Sequence, residues 1–403
     1  MPERAARGGE QKIIKAKNRT GISKDHFFVT GSIDIPFLAL TIALLTIGLI
    51  MLFSASYPLA YYRFHHDSYH YFTRQFVFAV VGLIAMAVMS KVNYKWLKVV
   101  VIPLLAVTIL LLIIVLFYHT NVGGADESDF KRWIPLPGGL TFQPSDLAKF
   151  TIILTFASYI SDYYGKMKNF KYGIMYPLGI IVIFCGLIFL EHHMSCTILM
   201  FLIGATMMWV GGSDWKLFAF GLAVLVLVVF VVITMPDMLE NYAGDRVKAW
   251  LDKDFEPRGA RWQTNNSLYA IGSGGLFGVG LGNSKQKYLY VAEPQNDFIF
   301  SIVCEELGFV GAALIILLFT ALVIRGFVIA SRCHDRFGAL LIIGIVAQIG
   351  IQVGLNILVV TDTLPNTGIA LPFFSYGGTA ILLLLFQIGV VLSVSRKASQ
   401  KKV

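Results

Sequence analysis

Long uninterrupted apolar runs constrain this chain more than any other feature. They fall at 34–56, 75–91, 97–118, 147–163, 174–190, 195–211, 216–235, 298–324, 339–360 and 371–394. At a rise of about 1.5 Å per residue, a helix of about 20 residues crosses a hydrocarbon core of roughly 30 Å. Hydrocarbon cannot hydrogen-bond a peptide group, so each run must satisfy its own backbone as a helix. The expected fold is all-α: a polytopic membrane protein with about ten transmembrane helices and a large extracellular loop before the eighth. Composition argues against a soluble alternative. Charged residues make up 14% of the chain and hydrophobic residues 56%, too few charges to clothe a water-exposed shell, which needs about 25%.

The net charge of +9 could suggest nucleic acid as a partner. Its distribution argues for topology instead. With the N-terminus placed in the cytoplasm, Lys and Arg concentrate in the inside segments, and both basic tails fall on that side. No nucleic-acid partner is implied. The chain then divides into a basic cytoplasmic tail (1–33), a ten-helix unit (34–394) and a second cytoplasmic tail (395–403). Cys185, Cys196, Cys304 and Cys333 are scattered, without the spacing of a metal site. Two outside segments are long, 119–146 and 236–297. A loop as long as the second is seldom only a connector in a compact protein.

That loop ends in Glu293-Pro294-Gln295-Asn296-Asp297, directly before Phe298-Ile299-Phe300. Asp297 therefore stands where water gives way to lipid, either as a cap on the following helix or as a general base at the membrane surface. Glu305 and Glu306 lie about two turns deeper. Carboxylates inside a span are costly and face a polar cavity or a partner. The glycine-rich stretch from Gly272 to Gly282 lacks the strand and helix of a dinucleotide site, so no nucleotide is expected. Its backbone could still approach a phosphate, with Arg246, Lys285 and Lys287 supplying charge. A solvated basic loop is the alternative.

In the first outside loop, Pro144-Ser145-Asp146 marks a helix start, and Lys149 shares a helical face with Asp146. That pair is either structural or part of a site. His193, between two apolar runs, either lines a polar cavity or turns the chain. Leu371 to Thr379 mixes Pro, paired Gly and hydroxyls, Ser375 among them, which suggests close helix approach or backbone lining a cavity.

Taken in order, these stretches resemble the shape, elongation, division and sporulation family of cell-wall polymerases. The resemblance runs from Asp34 and Ser54-Ala55-Ser56 to Ser395-Arg396. Its most specific stretches are Ser267–Gly272, Gly278–Lys287, Asp297–Phe300 with Glu305–Gly308, and Leu371–Thr379. The run 280–287 is closer to division and sporulation members than to elongation members, which suggests a role at the septum. The family implies a peptidoglycan glycosyltransferase that polymerises lipid II, with Asp297 as the essential general base. It places Lys131, Arg132, Asp146 and Lys149 at the substrate cavity. It also implies a class B penicillin-binding protein transpeptidase as partner, alongside other division-complex membrane proteins. Stabilising the pyrophosphate leaving group calls for Arg and Lys or a divalent cation such as Mg or Mn. Asp146 stands where Glu is common, and His193 where many elongation members carry Asp. A lipid II flippase using Glu305 and Glu306, and a scaffold without chemistry, are the competing readings.

Overall fold

The structure, a computed structural model, describes residues 27–117, 132–136, 140–216, 218–219, 221, 242–256, 259 and 261–399. Lys131, most of the expected span 216–235 and the greater part of the N-terminal tail lie outside the described residues. The long helices are α1 (Ile35–Arg63), α2 (His70–Met89), α3 (Leu97–Val115), α4 (Pro144–Tyr163), α5 (Tyr176–Leu190) and α6 (Met194–Val210). Two shorter helices follow, α7 (Tyr242–Leu251) and α8 (Trp262–Gly274), then α9 (Ile299–Ser331), α10 (Arg336–Val360) and α11 (Gly378–Ser399). The strands Ile134–Leu136 and Leu140–Phe142 form a small antiparallel hairpin before α4.

Every expected span that falls within the described residues has a helix; most of the seventh lies outside them. Among the described residues, seven helices are long and apolar enough to cross a membrane, and α6 is apolar but shorter. Helix α4 is more polar because Ser145, Asp146, Thr151 and Thr155 turn inward. Helices α10 and α11 bury most of their surface and form the centre of the bundle. Helix α11 packs chiefly on α2, while α10 packs on α9, α4 and α6.

Helix starts follow local chemistry. Asp34 caps α1 by accepting from the Phe37 N–H at 3.1 Å. Its carboxylate also takes both Nε and Nη2 of Arg325, at 2.9 and 2.8 Å, tying α1 to α9. Asp335 caps α10 through the Gly338 N–H.

Two departures from the expected spans shape the site. The last apolar run opens as irregular backbone over 371–377, and α11 begins only at Gly378. Such backbone is tolerated at membrane depth only where protein satisfies it, and long side chains do so here. Gln352 donates to the Ala370 carbonyl at 2.7 Å, Asn356 to the Ile369 carbonyl at 2.5 Å, and Gln75 accepts from the Gly377 N–H at 3.1 Å. Gly48 of α1 lets the Phe373 carbonyl pass where a Cβ would collide with it.

The second departure is a break in α9 at Gly308, which holds φ 67° and ψ −171°. The groups freed by the break pair with the glycine-rich stretch. The Phe309 N–H bonds the Gly275 carbonyl at 2.9 Å, and the Val279 N–H bonds the Glu305 carbonyl at 2.9 Å. A Cβ at Gly274 or Gly278 would strike the α9 backbone. The glycines thus serve close packing against a broken helix.

Candidate active site

Asp297 sits immediately before α9, on the end of the bundle where the hairpin, the α5–α6 turn and α7 meet. It is not a cap. The capping position is Phe298, without a side-chain hydrogen bond to the helix. Among the described residues, neither carboxylate oxygen of Asp297 accepts a hydrogen bond. Its main chain is firmly held instead. Asn356 donates to the Asp297 carbonyl at 2.7 Å, and Ser375 Oγ donates to the Asn296 carbonyl at 2.7 Å while accepting from the Leu371 N–H at 2.7 Å. The Tyr376 N–H bonds the Gln295 carbonyl at 2.8 Å. The result is a fixed, half-buried carboxyl with an uncommitted head.

The electrostatics suit a base. Burial raises the Asp297 carboxyl from its ordinary 3.8 to about 6; Arg132 and Arg246 hold it down in part, and Glu293 adds to the rise. Arg132 donates to the His192 carbonyl at 2.5 Å, and Arg246 to the Asn366 carbonyl at 2.8 Å. These bonds bring one cation from the first outside loop and one from α7 to the same carboxylate. Glu293 pairs with Arg63 of α1 at 2.7 Å and accepts from Gln295 and Asn296, which folds the loop back before Asp297.

Lys149 and Asp146 form an ion pair at 2.7 Å, both largely buried. They line a cleft with Gln348, Gln352, Ser375, Tyr376 and Gln387, enclosing about 480 Å³ of empty space, open solvent included. Asp297 is not part of its lining. The segment 370–376 forms a wall of the cleft, and the same segment braces Asn296 beside Asp297. His193 links the two regions. Its Nδ1 lies 3.4 Å from Gln143 Nε2 and 3.5 Å from Ser145 Oγ. Burial, with Arg132 and Lys149 nearby, depresses the ring well below the usual histidine range, so it is neutral at neutral pH.

The structure therefore brings together Arg132, Asp146, Lys149, His193, Arg246, Asp297 and Ser375. Four expected site residues lie elsewhere. Lys287 was expected to face a phosphate, but it is fully buried, with its ammonium 2.8 Å from Glu306, 2.7 Å from the Gly282 carbonyl and 4.8 Å from the Tyr57 ring centroid. Glu306 also accepts from Ser54 Oγ at 2.7 Å. Glu305 accepts from Ser284 Oγ and from the Lys285 N–H at 2.9 Å. Glu305 and Glu306 were expected to line a cavity; they instead clamp the loop 282–287 onto α9. The Lys285 side chain is exposed.

Sequence reasoning missed Gly368, Asn356, Glu191 and Ser195. Gly368 has φ 71°, and a Cβ there would lie 2.7 Å from Asp297 Oδ2 and 4.0 Å from Ser195 Oγ. The Pro365-Asn366-Thr367 sequence before it was the available signal. Among the described residues, no group of three or more His, Cys, Asp or Glu side chains could hold a metal ion.

Fold and site together define a polytopic membrane protein that presents a half-buried carboxylate, flanked by guanidinium groups, at the end of its helix bundle. The chain belongs to the cell cycle protein family of FtsW, RodA and SpoVE, whose model matches residues 36–400. It is 39% identical to stage V sporulation protein E of Bacillus subtilis over 368 residues, covering 90% of this chain and 97% of that protein. It is 35% identical to a probable peptidoglycan glycosyltransferase FtsW of Trichlorobacter lovleyi, covering 90% and 93%. Among solved structures, a chain from a peptidoglycan synthase complex that coordinates polymerization and crosslinking superposes with a TM-score of 0.73 at 25% identity, covering 92% and 99%. The rod shape determining protein RodA of Thermus thermophilus gives 0.65 at 25% identity, covering 91% and 97%.

Proposed function

We propose that this chain is a peptidoglycan glycosyltransferase that polymerises lipid II, with Asp297 as general base. The observation that carries the reading is a carboxyl fixed through its backbone at the start of α9, raised to about 6 by burial, with no hydrogen bond at its oxygens among the described residues. A carboxylate held for structure would be bonded; this one is available to a substrate. Relatives named as peptidoglycan glycosyltransferases support the chemistry.

In the reaction, an acceptor sugar hydroxyl gives its proton to Asp297 as its oxygen attacks the donor anomeric carbon. The bond from that carbon to the pyrophosphate oxygen breaks, and configuration inverts. The leaving group departs with its negative charge, which Arg132 and Arg246 are placed to offset. The similarity to a chain of a synthase complex supports a crosslinking transpeptidase of the penicillin-binding class as partner. The similarity to division and sporulation relatives supports action at a septum, with both termini cytoplasmic.

The flippase reading rested on Glu305 and Glu306, and both are committed to the loop clamp. The deciding experiment is polymerisation of labelled lipid II by purified wild type and Asp297→Ala, with and without chelator. Strand synthesis by a folded Asp297→Ala protein would remove the assignment. Loss of wild-type activity with chelator would assign a role to a substrate-borne cation.

A further inference from the structure

The turn between α5 and α6 holds groups that the mechanism above does not use. Glu191 is fully buried, and among the described residues neither carboxyl oxygen finds a hydrogen-bond partner. Ser195, one helical turn further on, is 2% exposed, and its hydroxyl is likewise unpartnered. Buried polar atoms are nearly always bonded, because leaving them unbonded forfeits their hydration. Two such side chains in one turn, within five residues, point to a ligand that completes them.

The turn is anchored against the site. His192 takes a left-handed φ of 55°, and its carbonyl accepts the Arg132 guanidinium. Arg132 acts electrostatically on Glu191 and on Asp297 alike. Ser195 Oγ and Asp297 Oδ2 flank the same point above Gly368. Ser195 is therefore a neighbour of Asp297, and Glu191 is tied to the same site through Arg132.

We propose that Glu191 and Ser195 form a specificity-determining subsite that receives a polar substituent of the acceptor sugar, a hydroxyl or acetamido group, beside the hydroxyl that Asp297 deprotonates. This rests on the glycosyltransferase reading. A neutral carboxyl and a hydroxyl each both donate and accept, which matches sugar hydroxyl and amide groups. Burial raises Glu191 to about 8, against the opposing pull of Arg132, so it is protonated at neutral pH and can donate. The other charged or titratable groups around the turn are His192 and His193 on it, Cys196 on α6, Asp146 and Lys149 on α4, and Asp297 before α9. His193 and Asp297 both titrate below Glu191.

The test is steady-state polymerisation of lipid II by the full chain in lipid nanodiscs. Glu191→Leu and Ser195→Ala should each raise KM about tenfold with kcat nearly unchanged, because they remove binding shared by ground and transition states. Glu191→Gln, which donates and accepts but cannot ionise, should keep the wild-type KM at pH 7. Wild-type KM should climb as pH passes 8, and the Glu191→Gln variant should show no such climb. Unchanged KM in both Glu191→Leu and Ser195→Ala overturns the subsite. If Glu191→Leu fails to fold, the pH comparison decides, and identical profiles for wild type and Glu191→Gln overturn it. A folded Asp297→Ala protein that still polymerises would instead overturn the underlying glycosyltransferase reading.

Discussion

Gly368 faces the carboxylate of Asp297 so closely that a Cβ on it would lie 2.7 Å from Oδ2. The contact fixes both the identity of residue 368 and the resting place of the carboxylate. The backbone of Gly368 is left-handed, which costs an L side chain about 1–2 kcal/mol. Gly368→Ala should therefore be modestly destabilised and should displace the carboxylate, and a shift of about 1 Å at a reacting group can cost about a hundredfold in rate. The expected kcat loss is tenfold or more, read in the polymerisation assay. Gly186→Ala, in α5 with open space around it, is the control and should match wild type.

The raised pKa of Asp297 fixes the acid limb of the rate profile. A general base works only when ionised, so kcat/KM should fall about tenfold per pH unit below about 6, not below the ordinary 3.8. Asp297→Asn should abolish the limb along with roughly 100- to 10,000-fold of the rate. A limb centred near 4 in the wild type would contradict the burial seen here.

The same shift has a consequence for stability, of opposite sign to that of a salt-bridged carboxylate. The folded state raises this pKa, so the ionised form is destabilising above about 6, and the penalty fades as pH falls from there toward 3.8. Asp297→Asn should melt above wild type at pH 7, with the gap closing at lower pH. Differential scanning fluorimetry in detergent measures it.

Lys287 and Glu306 are both fully buried. Removing one partner strands the other charge, a loss of about 3–5 kcal/mol. Lys287→Met should therefore lower thermal stability sharply, and Lys287→Met with Glu306→Gln should recover part of it. Activity per folded molecule should persist in the double variant, since neither residue meets Asp297. Selective loss of activity in a well-folded double variant would return these residues to the reaction.

Asn356 holds two carbonyls at once, those of Asp297 and Ile369. Asn356→Leu orphans both, at about 1–3 kcal/mol each. A lower melting temperature and reduced kcat should appear together, because the same side chain braces the fold and the backbone of Asp297.

The helices were legible in the sequence because an apolar run of membrane length has one solution in lipid. Even α4 was placed correctly, although its inward polar residues dilute the signal. The start of α11 was not legible. Leu371, Pro372, Phe373 and Phe374 are apolar whether helical or irregular, and the groups that satisfy their segment, Gln75, Gln352 and Asn356, lie far away in sequence. Lys287 read as a phosphate-facing cation because its partner, Glu306, becomes its neighbour only when the loop folds onto α9. Asp297 could be placed at the lipid boundary from sequence, but its failure to cap the helix could not, since capping depends on backbone geometry. Glu191 was missed because an unpartnered carboxyl is a property of packing alone.

The interruption of α9 at Gly308 is splinted by a single loop. The glycine-rich stretch bonds the helix on both sides of the break, through the Val279 and Gly280 N–H groups to the Glu305 and Glu306 carbonyls and through the Gly275 and Leu276 carbonyls to the Phe309 and Val310 N–H groups. Differences in membrane thickness tilt long helices. With one loop gripping both flanks of Gly308, the lower part of α9 cannot swing independently of the segment that begins beside Asp297.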